Sequence, residues 1–373
     1  MIVQPTAETS NGARPGSCVV LAHIVVSLSC SPPTPNVLSP PFEEVFDLLE
    51  IVELDEHPSD STAEIGVFLE RRDGGFLIAD GLLPRVRRYS ADGALLSAFG
   101  RFGSGPWELR DIRGVAETES GQVVVSSPRS RWLTYLNADL NPDTLVPVEF
   151  LVSEIHAMGP DMVFHGFGPL TGETYTGSEL DEQQAFYHKL ADGRVEWSRW
   201  DPQVFDIDKP YWRSFYRPLA TVASDSLVVM TSLFYPATVF DRAGDSVGTI
   251  GTPSSSFRRI PEVPRGYFGT DQTGPRMARF LASFDFVARI DAVGRGHLVF
   301  TIAHFDESKP TFPYRELDSH VEIYDLAADE KLFADVRLPE NARVLAGGRY
   351  LYVLLNRDFP PWRIAKYRLS KLV

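Results

Sequence analysis

The stretch GGFLIADGLLPRVRRYSADGALLSAFGRFGSGPWELRDIRGVA, Gly74 to Ala116, decides how this chain is read. FLIAD, VRRYS and ALLSAF are short apolar-rich runs, punctuated by Gly74-Gly75 and by Asp92-Gly93. Runs of this length and punctuation are strands joined by tight turns. The segment FGRFGSGPWELRDI, Phe99 to Ile112, admits two readings. Gly100, Gly103 and Gly105 could cradle a phosphate on backbone N–H groups, or they could form the corner between two pieces of sheet. Their G-x-x-G-x-G order matches neither the dinucleotide G-x-G-x-x-G nor a P-loop, and no helical pattern follows. The segment therefore reads as a connector from an outer strand to the next inner one, with glycines adopting backbone angles that other residues disfavour. Trp107 is expected to pin that crossing, and Gly105→Val to damage folding.

Outward from this segment the same rhythm recurs. Hairpins turn at Asp73-Gly74-Gly75, Ser120-Gly121, Gly159-Pro160, Ser224-Asp225-Ser226, Gly294-Arg295-Gly296 and Gly347-Gly348. They lead into FLIAD, QVVVSS, MVFHGF, LVVMTS, HLVFTIA and YLYVLLN. A second strand pair follows in five units: VRRYS with ALLSAF, WLTYLN with TLVPVEF, AFYHKL with VEWSRW, ATVFDR with SVGTIG, and HVEIYDL with KLFADVRL. The last unit has only RIAKYRLSKLV, and FDLLEIVEL, Phe46 to Leu54, stands unpaired ahead of the first. The pattern predicts an all-β, six-bladed β-propeller closed by an N-terminal strand that completes the last blade. A ring protects the strand edges that an open sheet of this size would expose. A pair of β-sandwiches would not explain why the units come out whole only when both ends of the chain are used.

On these residues the first unit resembles an NHL-type repeat. It is more similar still to the bacterial "6-bladed β-propeller" proteins, whose blades carry D…R(I/V)…(F/Y)…G…FGR.G.GPGEF. Asp80, Arg85, Val86, Tyr89, Gly93, Phe99, Gly100, Arg101, Gly103, Gly105, Pro106 and Glu108 stand at motif positions, while Trp107 replaces a glycine and Leu109 a phenylalanine. The motif is clear in the first unit and degenerate in the others; the strand rhythm runs from Phe46 to Val373. The resemblance implies a propeller that is often an exported lipoprotein, and it implies architecture more than chemistry.

A net charge of −14 argues against nucleic acid and against an anionic membrane surface, both of which need clustered Lys and Arg. Residues 1–30 read as an export or lipoprotein-type segment. Cys18 to Leu28 (CVVLAHIVVSL) is an apolar run preceded by Arg14 and too short for the roughly twenty residues of a membrane span. Leu28-Ser29-Cys30 resembles a lipobox, which makes Cys30 the candidate for lipidation, although Ser27 stands where an aliphatic residue is expected. Cleavage there would leave one cysteine and no internal disulfide. Residues 31–44 read as a Pro-rich tether and 45–373 as the propeller.

Strands reverse direction, so the loops sort onto two faces. The tight Gly/Asp turns share one face. The long insertions Gly166–Gln183, Trp200–Arg217, Gly251–Arg279 and His304–Ser319 share the other, and binding loops are built on rigid scaffolds in this way. Aromatics including Tyr175, Tyr211, Trp212, Tyr267, Tyr314 and Trp362 crowd these loops, either as a binding surface or as small satellite cores. The charged ligand candidates on this face are Asp80, Arg85, Arg129, Arg131, Arg357 and Asp358, with Asp80–Arg85 readable also as a structural ion pair. His165 and His304 each end a second strand on this face and are weak metal candidates without a definite third ligand. No cofactor is expected beyond that divalent ion; no HExxH, CxxC or EF-hand loop occurs, and the G-x-S-x-G string Gly244 to Gly248 falls on the turn of a hairpin and not ahead of a helix. The leading expectation is a noncatalytic, monomeric, envelope-associated protein that binds a peptide, glycan or protein partner on its loop-rich face. The alternative is a metal-dependent lactonase- or lyase-like enzyme working at the channel mouth.

Overall fold

The structure, a computed structural model, describes residues 39–56, 61–127, 132–148, 150–169, 185–191, 194–200, 218–224, 226–231, 235–262, 275–294, 296–306, 308, 316–356 and 360–370. A one-turn helix α1 (Phe42–Val45) leads directly into β1 (Phe46–Glu53). Sheet 1 then holds β2 (Ile65–Glu70), β3 (Phe76–Asp80), β4 (Val86–Tyr89) and β5 (Leu95–Phe99). Sheet 2 holds β6 (Gly114–Glu117), β7 (Val123–Ser126), β8 (Trp132–Leu136) and β9 (Pro142–Pro147). Sheet 3 holds β10 (Phe150–Met158), β11 (Asp161–Pro169), β12 (Ala185–Ala191) and β13 (Arg194–Trp200). Sheet 4 holds β14 (Pro218–Ala223), β15 (Ser226–Thr231), β16 (Ala237–Phe240) and β17 (Ser246–Ile250). After helix α2 (Pro275–Leu281), sheet 5 holds β18 (Phe286–Val293), β19 (His297–Phe305), β20 (Glu316–Asp325) and β21 (Glu330–Val336). Sheet 6 holds β22 (Arg343–Ala346), β23 (Leu351–Leu354) and β24 (Arg363–Leu369), with β1 antiparallel to β24 from Phe46↔Leu369 to Glu53↔Arg363.

The side-chain pattern explains how these sheets assemble. In β3 every residue is buried, because both faces of the strand are covered. Phe76 and Ile78 point to one neighbour, joining Val52, Tyr352 and Ile364 of sheet 6; Leu77 and Ala79 point to the other, joining Val115, Val123 and Val125 of sheet 2. β23 divides in the same way, with Leu351 and Val353 against sheet 5 and Tyr352 and Leu354 against sheet 1. Apolar seams of this kind join sheets 2 and 3, 3 and 4, and 4 and 5 as well, so each sheet packs on the next around a circuit. Each buried Phe, Leu or Ile in a seam contributes about 1.5–3 kcal/mol relative to an exposed one. The outermost strands β5, β9 and β17 alternate or face solvent instead. This is an all-β propeller.

Strand positions follow the sequence reading with these exceptions: Phe150 opens β10 rather than ending the strand before it, and the loops read at Gly166–Gln183 and His304–Ser319 begin inside β11 and β19, the second ending inside β20. Three differences are informative. The tether was expected to extend through residue 44, yet Phe42 and Val45 are buried, with Phe42 stacked on Phe46 and edge-on to Tyr367. Helix α2 lies within a loop read as irregular. Its Met277, Phe280 and Leu281, at helical spacing, seal it onto Phe284 and Phe286. In the connector, Leu109 rather than Trp107 anchors the crossing: Leu109 is buried in the seam between sheets 1 and 2.

That connector closes on itself. Leu109 N–H donates to Arg101 O and Gly103 N–H to Leu109 O, while Glu108 accepts from Gly105 N–H at 2.8 Å and meets Arg101 at 3.1 Å. The Glu108 carboxylate thus occupies the place an external anion would take. Gly100 (φ +112°) is the constrained glycine, since a Cβ there would lie 2.3 Å from Pro84 O. Trp107 sits at φ +66°, which explains why related motifs carry glycine at this position.

Candidate functional site

The inner strands β2, β6, β10, β14, β18 and β22 together line a cavity of about 260 Å³. Its charged lining is Arg113, Glu154, His156, Arg289 and Arg343, so arginines arrive from three different sheets. Two of them help to hold the circuit. Arg343 donates to Ile65 O at 2.7 Å, crossing from sheet 6 to sheet 1. Arg289 forks onto Asp291 at 2.9 and 3.1 Å, and the same carboxylate accepts from Gly347 N–H across to sheet 6. Glu154 lies 3.4 Å from His156 Nε2. Arg113 is different: its side chain is 64% exposed, with Asp111 a loose 3.7 Å away. A guanidinium so placed can grip a carboxylate or sulfate with two parallel hydrogen bonds.

A second cavity, about 770 Å³, opens beside sheet 5 among Ser256, Arg258, Asp285, His304, His320, Asp335 and Arg337, with Ser39–Pro41 at its edge. These residues come from the loop before β18 and from strand ends on the side where the long loops emerge. His320 pairs with Ile302, and His304 stands two places along β19 on that same face. Asp335 has φ +53°, close to an irregularity in the β20–β21 pairing. Its Oδ1 accepts from Ser254 Oγ at 3.1 Å and from Ser256 Oγ, and lies 3.3 Å from His320 Nε2. His320 is 8% exposed, and its burial holds the imidazole below the ordinary pKa, so the ring is neutral near pH 7. Its Nε2 makes no hydrogen bond.

Behind this pair lies Glu322, wholly buried and well satisfied. It meets Lys331 Nζ at 2.8 Å and accepts from Tyr324 Oη at 2.8 Å, Tyr235 Oη at 3.1 Å and Ser254 N–H at 3.2 Å. Arg258 is likewise committed, forking onto Asp285 at 2.6 and 3.0 Å.

The residues proposed from sequence fare unequally. Asp80 is not a ligand-facing group. It is buried, accepting from Ala63, Leu82 and Leu83 N–H and pairing with buried Arg87 at 3.4 Å. The ion pair expected with Arg85 is thus made with Arg87, two residues on, because Arg85 engages Asp80 through its backbone carbonyl. His165 is buried in sheet 3 with Nδ1 against Ser153 Oγ, while His304 belongs to sheet 5, so they do not form one site. His304 does line the larger cavity. Trp362 is buried with Nε1 donating to Thr62 O at 3.0 Å, which makes it a packing residue. Arg129, Arg131, Arg357, Asp358, Cys30 and the remaining loop aromatics named above lie outside the described residues.

Sequence reasoning passed over Arg113, Arg289, Arg343, His320 and Asp335. The arginines had a signal, since each stands in or beside an inner strand (Arg113-Gly-Val, Ala-Arg289-Ile, Arg343-Val-Leu). His320 and Asp335 had none, because a strand irregularity brings them together.

No protein-family model matches this sequence, and no curated protein matches it. Among solved structures, the chain is similar to a "putative exported protein" of Bacteroides fragilis NCTC 9343, at 12% identity and a TM-score of 0.62, over 90% of this chain and 98% of that one. It is also similar to a member of the duf4221 family from Bacteroides vulgatus ATCC 8482, at 11% identity and a TM-score of 0.63, over 87% and 98%. At these identities the likeness is one of fold. Among the described residues no helix is long and apolar enough to cross a membrane.

Proposed function

We propose that this chain is an exported, noncatalytic propeller that binds the anionic group of a peptide or glycan at the mouth of its central channel. The observation that carries the reading is the convergence of Arg113, Arg289 and Arg343 from three sheets on one cavity, with Arg113 held out toward solvent. The scaffold we infer is a propeller of six blades, supported by the circuit of apolar seams and by the β1–β24 pairing that joins the chain's two ends. Export is supported by the apolar segment ahead of Cys30 and by the fold likeness to a protein described as exported. Cys30 is the proposed anchor, and Cys30→Ser should release the protein from a membrane fraction.

The binding reading is tested by calorimetry with acidic peptides and oligouronates at low and physiological salt. Affinity should fall as salt rises, and Arg113→Ala should weaken it about ten-fold, the loss of one charge-assisted hydrogen bond. Equal binding by the wild type and Arg113→Ala, or no binding of any anionic probe, would refute it.

A further inference from the structure

We propose that the cavity beside sheet 5 is a divalent transition-metal site, with His320 and Asp335 as its protein ligands. This site is separate from the arginine-lined channel and does not depend on the anion-binding reading.

The argument begins with donors. One ligand atom each from His320, Glu322 and Asp335 falls within 4.8 Å of the others, a spacing that a single ion can span. Glu322 is already neutralised by Lys331 and two tyrosine hydroxyls, so it forms the wall behind the site. His320 Nε2 and Asp335 Oδ1 instead face each other at 3.3 Å without a hydrogen bond. The His320 side chain is nine-tenths buried. A buried ring nitrogen without a hydrogen bond costs free energy unless something else occupies its lone pair. A cation shared by Nε2 and the carboxylate removes that cost, and an imidazole nitrogen with a carboxylate oxygen is a donor pair that zinc takes.

The surroundings are those of a ligand held in place. Ser254 and Ser256 both donate to Asp335 Oδ1 and fix its orientation, the role that outer groups play around a metal. The left-handed backbone at Asp335 turns its carboxylate into the cavity rather than along the strand ladder. His304 lines the same cavity from the neighbouring strand, two places along β19 from His320's partner Ile302. The cavity's volume leaves room for water or an external ligand to complete the coordination.

The test is zinc uptake by the full chain without an affinity tag, stripped with chelator and titrated with ZnCl₂ in a calorimeter near neutral pH. About one Zn²⁺ should bind per chain. His320→Ala and Asp335→Asn should each weaken it about ten-fold or more, and His165→Ala should leave it unchanged. Cobalt substitution reads the same site by its visible absorption, which should be lost in His320→Ala. Circular dichroism of each variant shows that the fold is kept, and Asp335→Asn conserves shape should His320→Ala prove unstable. No zinc bound by the wild type, or binding as tight in both variants, would overturn the assignment.

Discussion

In sheet 1 the buried Asp80 carboxylate is saturated by three backbone N–H groups and a buried arginine. In sheet 5 the Asp335 carboxylate is held by two serines and faces a histidine nitrogen that makes no hydrogen bond. The two sheets share one four-stranded plan, yet one closes its charges into the scaffold and the other leaves them on a cavity wall. Conformity to the repeat motif therefore marks structure. The Asp335 carboxylate sits in sheet 5, where the repeat motif is degenerate.

The contrast is easiest to break at Asp80. Asp80→Ala removes the acceptor of three backbone N–H groups and the carboxylate beside buried Arg87, and should cost about 3–5 kcal/mol in denaturant unfolding, while metal-free Asp335→Asn should cost about 1 kcal/mol at most. Similar losses in the two would erase the distinction. Alkaline unfolding sharpens it from the side of the scaffold. Burial raises the phenol of Tyr89 and that of Tyr352 well above the ordinary value of 10.0. The folded state thus holds protons that the unfolded state releases, so this contribution is fully present below about pH 10 and is lost as pH rises beyond it. The slope should approach 1.4 kcal/mol per pH unit per group, read from unfolding midpoints on either side of that pH. A flat profile would show that these phenols are not sealed.

Smaller effects probe the connector and the channel. Trp107→Gly relieves a left-handed φ and should raise stability by about 1 kcal/mol, visible as an increase in melting temperature. A decrease would mean that the half-buried indole contributes more than its backbone costs. Arg113→Ala should change stability by less than about 0.5 kcal/mol, because the side chain is mostly exposed, and its effect should appear only in ligand binding.

The scaffold was legible because its signals are local. FLIAD and YLYVLL are continuous apolar runs since both strand faces are buried, and the tight turns between strands carry Gly, Asp or Ser at close intervals. Helix α2 was missed because two turns of helix carry too few residues for a periodic signal. The site was less legible. Asp80 stands out in the sequence as a motif residue, but burial and three N–H donors make it structural. His320 and Asp335 lie on different strands and meet only through a register shift, which no spacing rule encodes.

The pairing of β1 with β24 has a consequence for how the molecule forms. Asp47 and Arg368 meet across it although 321 residues separate them in sequence. Contacts of such separation form late, since a long loop must close before the pairing returns any stability. β1 therefore waits for β24, and their pairing cannot form until the chain has been made through Leu369.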